Sequence, residues 1–126
     1  MTEDRYRAEA EARWGHTDAY QQSAARTARY TDDDWAMIKA EAAEITTAFT
    51  RLLRDGATAS GAEPRRLAEL HREHITRWFY DCPPRMHAAL GAMYVTDARF
   101  GAGIDGSQPG LARFMADAFA ANASSA

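Results

Sequence analysis

Between His71 and Val95 the chain reads H-R-E-H-I-T-R-W-F-Y-D-C-P-P-R-M-H-A-A-L-G-A-M-Y-V, a run holding three of the four histidines, the single cysteine and two consecutive prolines. These side chains ligate metals, attack electrophiles or hold flat apolar ligands, and their density in one stretch marks a binding cleft. Pro fixes φ and lacks an N–H, so Pro83 and Pro84 suit only the first turn of a helix, and Pro83 drives Cys82 out of the α region. Cys82 is therefore expected at or beside an N-cap. Free N–H groups and the positive helix end there favour thiolate over thiol, whereas the adjacent Asp81 opposes it through like charge. A lone cysteine is ordinarily a small buried apolar side chain, so the spacing leaves both readings open.

Upstream, a rotation of about 100° per residue places Leu67, His71, His74 and Trp78 on one stripe, with Leu70 and Ile75 on its flanks. Two imidazoles then occupy the middle of an apolar face, and each buried ring nitrogen needs a partner. Four chemistries fit this constellation. His71, His74, Cys82 and His87 are acceptable zinc ligands, although their spacing matches no recognised metal signature. A helical histidine on an apolar face suits a haem pocket. A cysteine enzyme needs a base against Cys82, for which His87 is the nearest candidate. The reading preferred is a cleft for a large, partly apolar ligand lined by Trp14, Tyr20, Trp35, Trp78, Tyr80 and Met86, because such side chains give much contact area at little rotamer cost.

The elements that must position these residues are helical throughout. Residues 4–14 read as a short helix with Tyr6, Ala10 and Trp14 in register, closed by Gly15 at C′. Thr17 or Asp18 caps a second helix through about Arg29. T-D-D-D before Trp35 is a helix start with Thr31 as N-cap and Asp34 at N3, an imperfect capping box. Trp35, Ile38, Ala42, Ile45, Phe49 and Leu52 then repeat at steps of three and four over about six turns, the backbone of the core. Asp55-Gly56 ends this helix, and Pro64 is expected at N1 of the histidine helix.

Beyond the Pro83–Pro84 corner, Met86, Leu90, Met93 and Tyr94 share one face, with Gly91 permitting close approach. Thr96 or Asp97 starts a short helix containing Phe100 and Ile104. Pro109 starts a last one, with Leu111, Phe114, Met115, Ala118 and Phe119 inward, and the A-N-A-S-S-A tail is expected to fray. No segment alternates with period two, so the fold class is all-α with about seven helices, and nothing repeats at a fixed period.

At 126 residues the chain supports one core. Residues 35–126 form that core. Residues 1–34 contain no Leu, Ile, Val, Met or Phe after Met1, and at about 25 cal/mol per Å² of buried apolar surface they can hardly offset roughly 1–2 kcal/mol of backbone entropy per ordered residue. They read as a lid that orders when a ligand supplies apolar surface. Net charge is −3, and Lys39 is the single lysine among fifteen basic residues, so no basic stripe for nucleic acid is present. One cysteine fits a reducing compartment. No run approaches a membrane span and no signal-peptide h-region opens the chain, so a soluble, cytoplasmic protein is expected.

R-W-G-H-T-D-A-Y-Q-Q-S (13–23), Y-T-D-D-D-W (30–35), H-R-x-x-I-x-R (71–77), Y-D-C-x-x-x-M-H-x-x-L-G-x-M-Y-V-x-D-x-R-F (80–100) and P-G-L-A-x-F-M-x-D-A (109–118) together resemble, almost end to end, the TipA-S antibiotic-recognition domain. That family is the effector-binding part of thiostrepton-induced, MerR-type transcriptional activators. The resemblance implies a globin-like fold, induced-fit binding of a thiopeptide or similar bulky antibiotic, and an N-terminal lid that orders on the ligand. It also implies that Cys82 stands where the family's reactive cysteine adds to a dehydroalanine of the antibiotic.

Contacts to the ligand are expected from Cys82, Trp14, His16, Tyr20, Trp35 and Trp78. Tyr80, Asp81, Met86, His71, His74, His87 and Phe100 complete the expected site. His16 and Pro83 depart from the family pattern, where an Asn and a non-proline residue are common. No cofactor and no catalysis are expected. The chain carries no helix-turn-helix, so attachment to a separate DNA-binding domain or independent drug sequestration are the two roles implied.

Overall fold

The computed structural model describes residues 17–97, 103–106 and 108–125. Among these, five helices and a helical turn at 103–105 account for the regular structure, with no strand. The expected helix over residues 4–14 lies outside the described residues. Helix α1 spans Asp18–Thr27 and opens with the Thr17 side chain accepting the Tyr20 N–H. It stops at Thr27, short of the expected Arg29.

Helix α2 spans Asp32–Arg54 behind a capping box that is complete in both directions, Thr31 Oγ1 accepting the Asp34 N–H and the Asp34 carboxylate accepting the Thr31 N–H. Three aspartates in its first turn and Arg51 and Arg54 in its last complement the macrodipole. Gly56 closes it at φ 78°, a left-handed conformation that costs glycine nothing.

Helix α3 spans Ala62–Trp78 with Gly61 as N-cap. Pro64 therefore occupies N3, not the expected N1. The ring is tolerated there because the first-turn N–H groups have no intrahelical acceptor in any case. Helix α4 spans Pro84–Thr96, with Pro83 itself as N-cap. Helix α5 spans Leu111–Ser125. Pro109 and Gly110 form the turn before it, Gly110 at φ 85°, and Asp105 supplies the start of α5 by accepting the Ala112 N–H at 2.8 Å. The tail does not fray before Ser125. Asn122 donates to Glu69 at 2.9 Å and Arg65 to the Ser125 hydroxyl at 3.1 Å, so tertiary hydrogen bonds hold the last turn.

The core is built from Phe49 of α2, Leu67 and Ala68 of α3, and Leu111, Phe114, Met115, Ala118 and Phe119 of α5. Phe49 meets Phe114 and Phe119 edge-on at 6.2 Å between centroids. All five α5 positions expected inward are buried. Helix α4 lies closely on α5 because residue 91 has no side chain. A Cβ on Gly91 would stand 2.9 Å from Phe119 Cδ2 and 3.0 Å from Ala116 Cα. Tyr94 is not on the Met86–Leu90–Met93 face as expected. It belongs with His87 and Gly91 toward α5, where its ring meets Phe119 at 6.2 Å.

Because the Ala116 contact is with backbone, Gly91→Ala cannot be absorbed by a rotamer change. It should destabilise the fold by about 1–3 kcal/mol, the ordinary cost of overpacking, measured as a lower urea midpoint at unchanged slope.

Candidate functional site

The outward face of α4 looks onto α1 across a cleft of about 410 Å³. Thr17, Ala19, Tyr20 and Ser23 form one wall, and Met86, Ala89, Leu90 and Met93 of α4 with Tyr80 from the corner form the other. Tyr20, Tyr80 and Met86 are thus brought together as the sequence suggested. Thr17, Ala19, Ser23, Ala89, Leu90 and Met93 line it beyond the contacts expected from the sequence. The 86–90–93 spacing carried the signal for two of them. Burial pushes the Tyr80 hydroxyl up to about 12, so the cleft presents neutral phenol and thioether surface. Trp14, His16 and Phe100 lie outside the described residues.

Trp35 and Trp78 do not line this cleft. They form an aromatic group with Tyr30 and Phe79, Tyr30 standing edge-on to both indoles at 5.8 and 5.5 Å. The Trp78 Nε1–H donates to Glu41 at 2.7 Å and the Tyr30 hydroxyl donates to the Trp78 carbonyl, fastening the start of α2 to the end of α3. A helical stripe identifies a buried face but not the neighbour that covers it.

Helix α1 reaches the corner through polar groups, and none of its own residues is buried. Arg26 donates to the Thr76 carbonyl at 2.7 Å and pairs with Asp81 at 3.0 Å. Gln22 Oε1 accepts the Asp81 N–H at 3.0 Å. Asp81, expected as a ligand contact, therefore acts here as an attachment for α1.

Cys82 precedes the N-cap and is 2 % exposed. Its N–H donates to Thr76 Oγ1 at 3.1 Å, and its carbonyl accepts from Arg72 at 2.9 Å. Of the two readings that the sequence left open, the resting structure favours the buried, protonated thiol. Burial pushes the thiol up to about 11, with the Arg72 guanidinium offsetting only part of this, because withdrawing the anion from water outweighs a helix-end attraction of about 0.3–1 kcal/mol. Cys82 does not line the cleft, although Tyr80 before it and Met86 after it do.

The three histidines separate into two environments. His71 Nδ1 shares a hydrogen bond with His87 Nε2 at 2.9 Å, and Phe119 stacks on His87 at 3.9 Å between centroids. Burial holds His71 down to about 4 and His87 down to about 3, so both are neutral imidazoles at neutral pH. His74 instead turns toward α2, donating from Nε2 to the Ile38 carbonyl at 3.2 Å beside Glu41 at 3.5 Å. The zinc set of His71, His74, Cys82 and His87 accordingly does not converge, and no group of three metal-ligating side chains exists among the described residues. Nor is any described helix long and apolar enough to cross a membrane.

Residues 6–122 match the model of the TipAS antibiotic-recognition domain. The chain belongs to the TipAS family. It is 48% identical over 120 residues to the HTH-type transcriptional activator TipA of Streptomyces coelicolor, and equally to that of Streptomyces lividans. These matches cover 95% of this chain and 47% of each relative, so the chain spans about half the length of the curated relatives it matches. The activator mta of Bacillus subtilis is 34% identical over 93 residues.

Among solved structures, TipAS of Streptomyces lividans in complex with nosiheptide superposes at a TM-score of 0.91 and 48% identity, covering 97% of this chain and 85% of that one. The antibiotic-binding domain of a TipA-class multidrug resistance regulator superposes at 0.65 and 45% identity, covering 70% of this chain and 94% of that one. The all-α, globin-like architecture expected from the sequence is the architecture of the TipAS fold found here.

The buried pair gives this TipAS domain an acid sensitivity. Folded-state values below the ordinary 6.5 mean that stability is complete above about pH 6.5 and lost as pH falls, since the unfolded chain takes up the protons that the folded one refuses. Urea unfolding at pH 7 and pH 5 should show the loss, up to about 1.4 kcal/mol per pH unit for each histidine. His87→Phe should flatten the slope. Glu69, which its bond from Arg72 holds down to about 2, titrates below this window.

Proposed function

We propose that this domain is an induced-fit receptor for a thiopeptide or similarly bulky antibiotic, which it holds between α1 and the Met86–Leu90–Met93 face of α4. The single observation that carries the reading is the cleft itself: a Met- and Tyr-lined hollow of about 410 Å³ with one wall made by a helix none of whose side chains is fully buried. The kinship with a domain solved in complex with nosiheptide supports the ligand class. Residues 1–34 act as the lid and 35–126 as the receptor body. Joined to a DNA-binding half, as in the HTH-type activators to which it is similar, the domain reports the drug to transcription. By itself it sequesters the drug by mass action. Neither role calls for catalysis.

Cys82 is the proposed point of covalent capture. Its sulfur adds to the terminal carbon of a dehydroalanine, the thiol proton passes to the α-carbon, and nothing leaves. In the empty protein the thiol is buried and protonated, so the bound antibiotic must first open the 80–83 corner. Iodoacetamide should therefore alkylate Cys82 at least tenfold more slowly in the folded domain than in urea at equal pH.

A thermal-shift series with nosiheptide and other thiopeptides tests the receptor reading without presuming covalency. The melting temperature should rise with ligand, and no shift across the series would overturn the assignment. Leu90→Asp puts a charge into the apolar wall and should weaken binding at least tenfold. Arg26→Ala should raise Kd about three- to tenfold by releasing α1, in line with one carbonyl hydrogen bond and a half-exposed ion pair. Intact mass should increase by one ligand in the wild type and remain unchanged in Cys82→Ser.

A further inference from the structure

A second hollow, of about 340 Å³, sits among four helices and shares no described lining residue with the antibiotic cleft. Thr46 of α2, His71 of α3, Tyr94 of α4 and Met115 of α5 line it with Gly103 and Ile104. The hollow opens to the surface at Thr46 and Gly103, and a cavity of roughly 150 Å³ already accommodates a benzene ring. None of the described lining side chains carries a charge at neutral pH, since burial keeps His71 unprotonated. An ionised guest would lose its hydration without a counter-charge.

The imidazole pair determines what the hollow offers. Its one shared hydrogen bond uses His71 Nδ1 and His87 Nε2, leaving His71 Nε2 and His87 Nδ1. His87 is 1 % exposed, and its Nδ1 has no hydrogen-bond partner among the described residues. Two neutral imidazoles can share the bond in two ways. If His71 donated, a fully buried N–H would be left without an acceptor at His87 Nδ1. If His87 donates, only a lone pair is left there, and orphaned N–H groups are the rarer of the two in native interiors. The second arrangement puts the remaining N–H on His71 Nε2. Nδ1 is engaged by His87 and the ring lies 4.7 Å from Phe119, so the edge of His71 left for the hollow is the one bearing Nε2.

We infer that this interhelical hollow is a second binding site, for a neutral, mainly apolar molecule of bicyclic size whose carbonyl or ether oxygen accepts the His71 Nε2–H. It is independent of the antibiotic reading, and a guest there contacts α2, α3, α4 and α5 at once.

1-Indanone and its carbonyl-free counterpart indane, titrated into the isotope-labelled domain, test it. Saturable shifts centred on Thr46, Tyr94 and Met115 are expected for 1-indanone, with indane at least tenfold weaker. His71→Asn retains a group at the Nδ1 position for His87 but removes the Nε2 donor. It should abolish the preference for 1-indanone over indane. Thr46→Trp, at an exposed position on the rim, should abolish binding of both while leaving the thiopeptide thermal shift intact. The inference is overturned by shifts centred on Tyr20, Leu90 and Met93, by equal affinity for the two probes, or by no saturable shift up to their solubility.

Discussion

A helix none of whose side chains is fully buried gains little from its own apolar surface and depends on other contacts to hold it, and α1 is such a helix. Ordering its backbone costs roughly 1–2 kcal/mol per residue, while each hydrogen bond from Arg26 or to Gln22 contributes only about 0.5–1.5 kcal/mol net. The polar attachment fixes where α1 sits without making it stable there. A ligand entering between Tyr20 and the α4 methionines would add the missing apolar contact, so binding energy and the ordering of α1 become one quantity. The methionines suit that role, since their unbranched, polarizable side chains adapt to more than one guest.

The same corner restrains the thiol. Thr76 and Arg72 fix the backbone on both sides of Cys82, and Arg26 reaches the carbonyl of that same Thr76. The attachment of α1 and the enclosure of Cys82 therefore depend on one turn of α3. A guest that displaces Tyr80 disturbs both. Arg72 is the cation already in place to favour the thiolate once water or ligand enters, because its effect on the buried thiol is outweighed by desolvation alone. Protection at rest and reactivity on binding are then consistent properties of one arrangement.

Much of this was legible in the residues because it depends on local rules. The Thr31–Asp34 capping box, the stripe from Ile38 to Phe49 and the inward face of α5 each follow from spacings of three or four, and the left-handed Gly56 from the missing Cβ at a helix end. Pro64 and Pro109 were misplaced by two residues for a related reason. Proline is tolerated throughout a first turn and in the turn before it, so it marks a helix start only approximately. What the sequence could not convey is which faces meet. His71 and His87 pair across sixteen residues, His74 one turn away turns to Ile38, and Trp35 and Trp78 both pack against Tyr30, away from the cleft. The final alanine-rich turn is ordered by Glu69, fifty-three residues earlier.

Helix α4 resolves these demands by assigning them to different sides. His87, Gly91 and Tyr94 face α5, where Gly91 lets backbone approach backbone, and Met86, Leu90 and Met93 face α1. Because a Cβ at residue 91 would already collide with Phe119 and Ala116, α4 has no free space toward α5 at that residue. A guest on its outer face cannot be accommodated by pressing the helix inward, so the yielding must occur on the other wall, in α1 and the 80–83 corner. The rigid side is made of stacked aromatic and imidazole rings, the compliant side of polar contacts near the surface. That division would let one small helical domain take a large ligand without repacking its core.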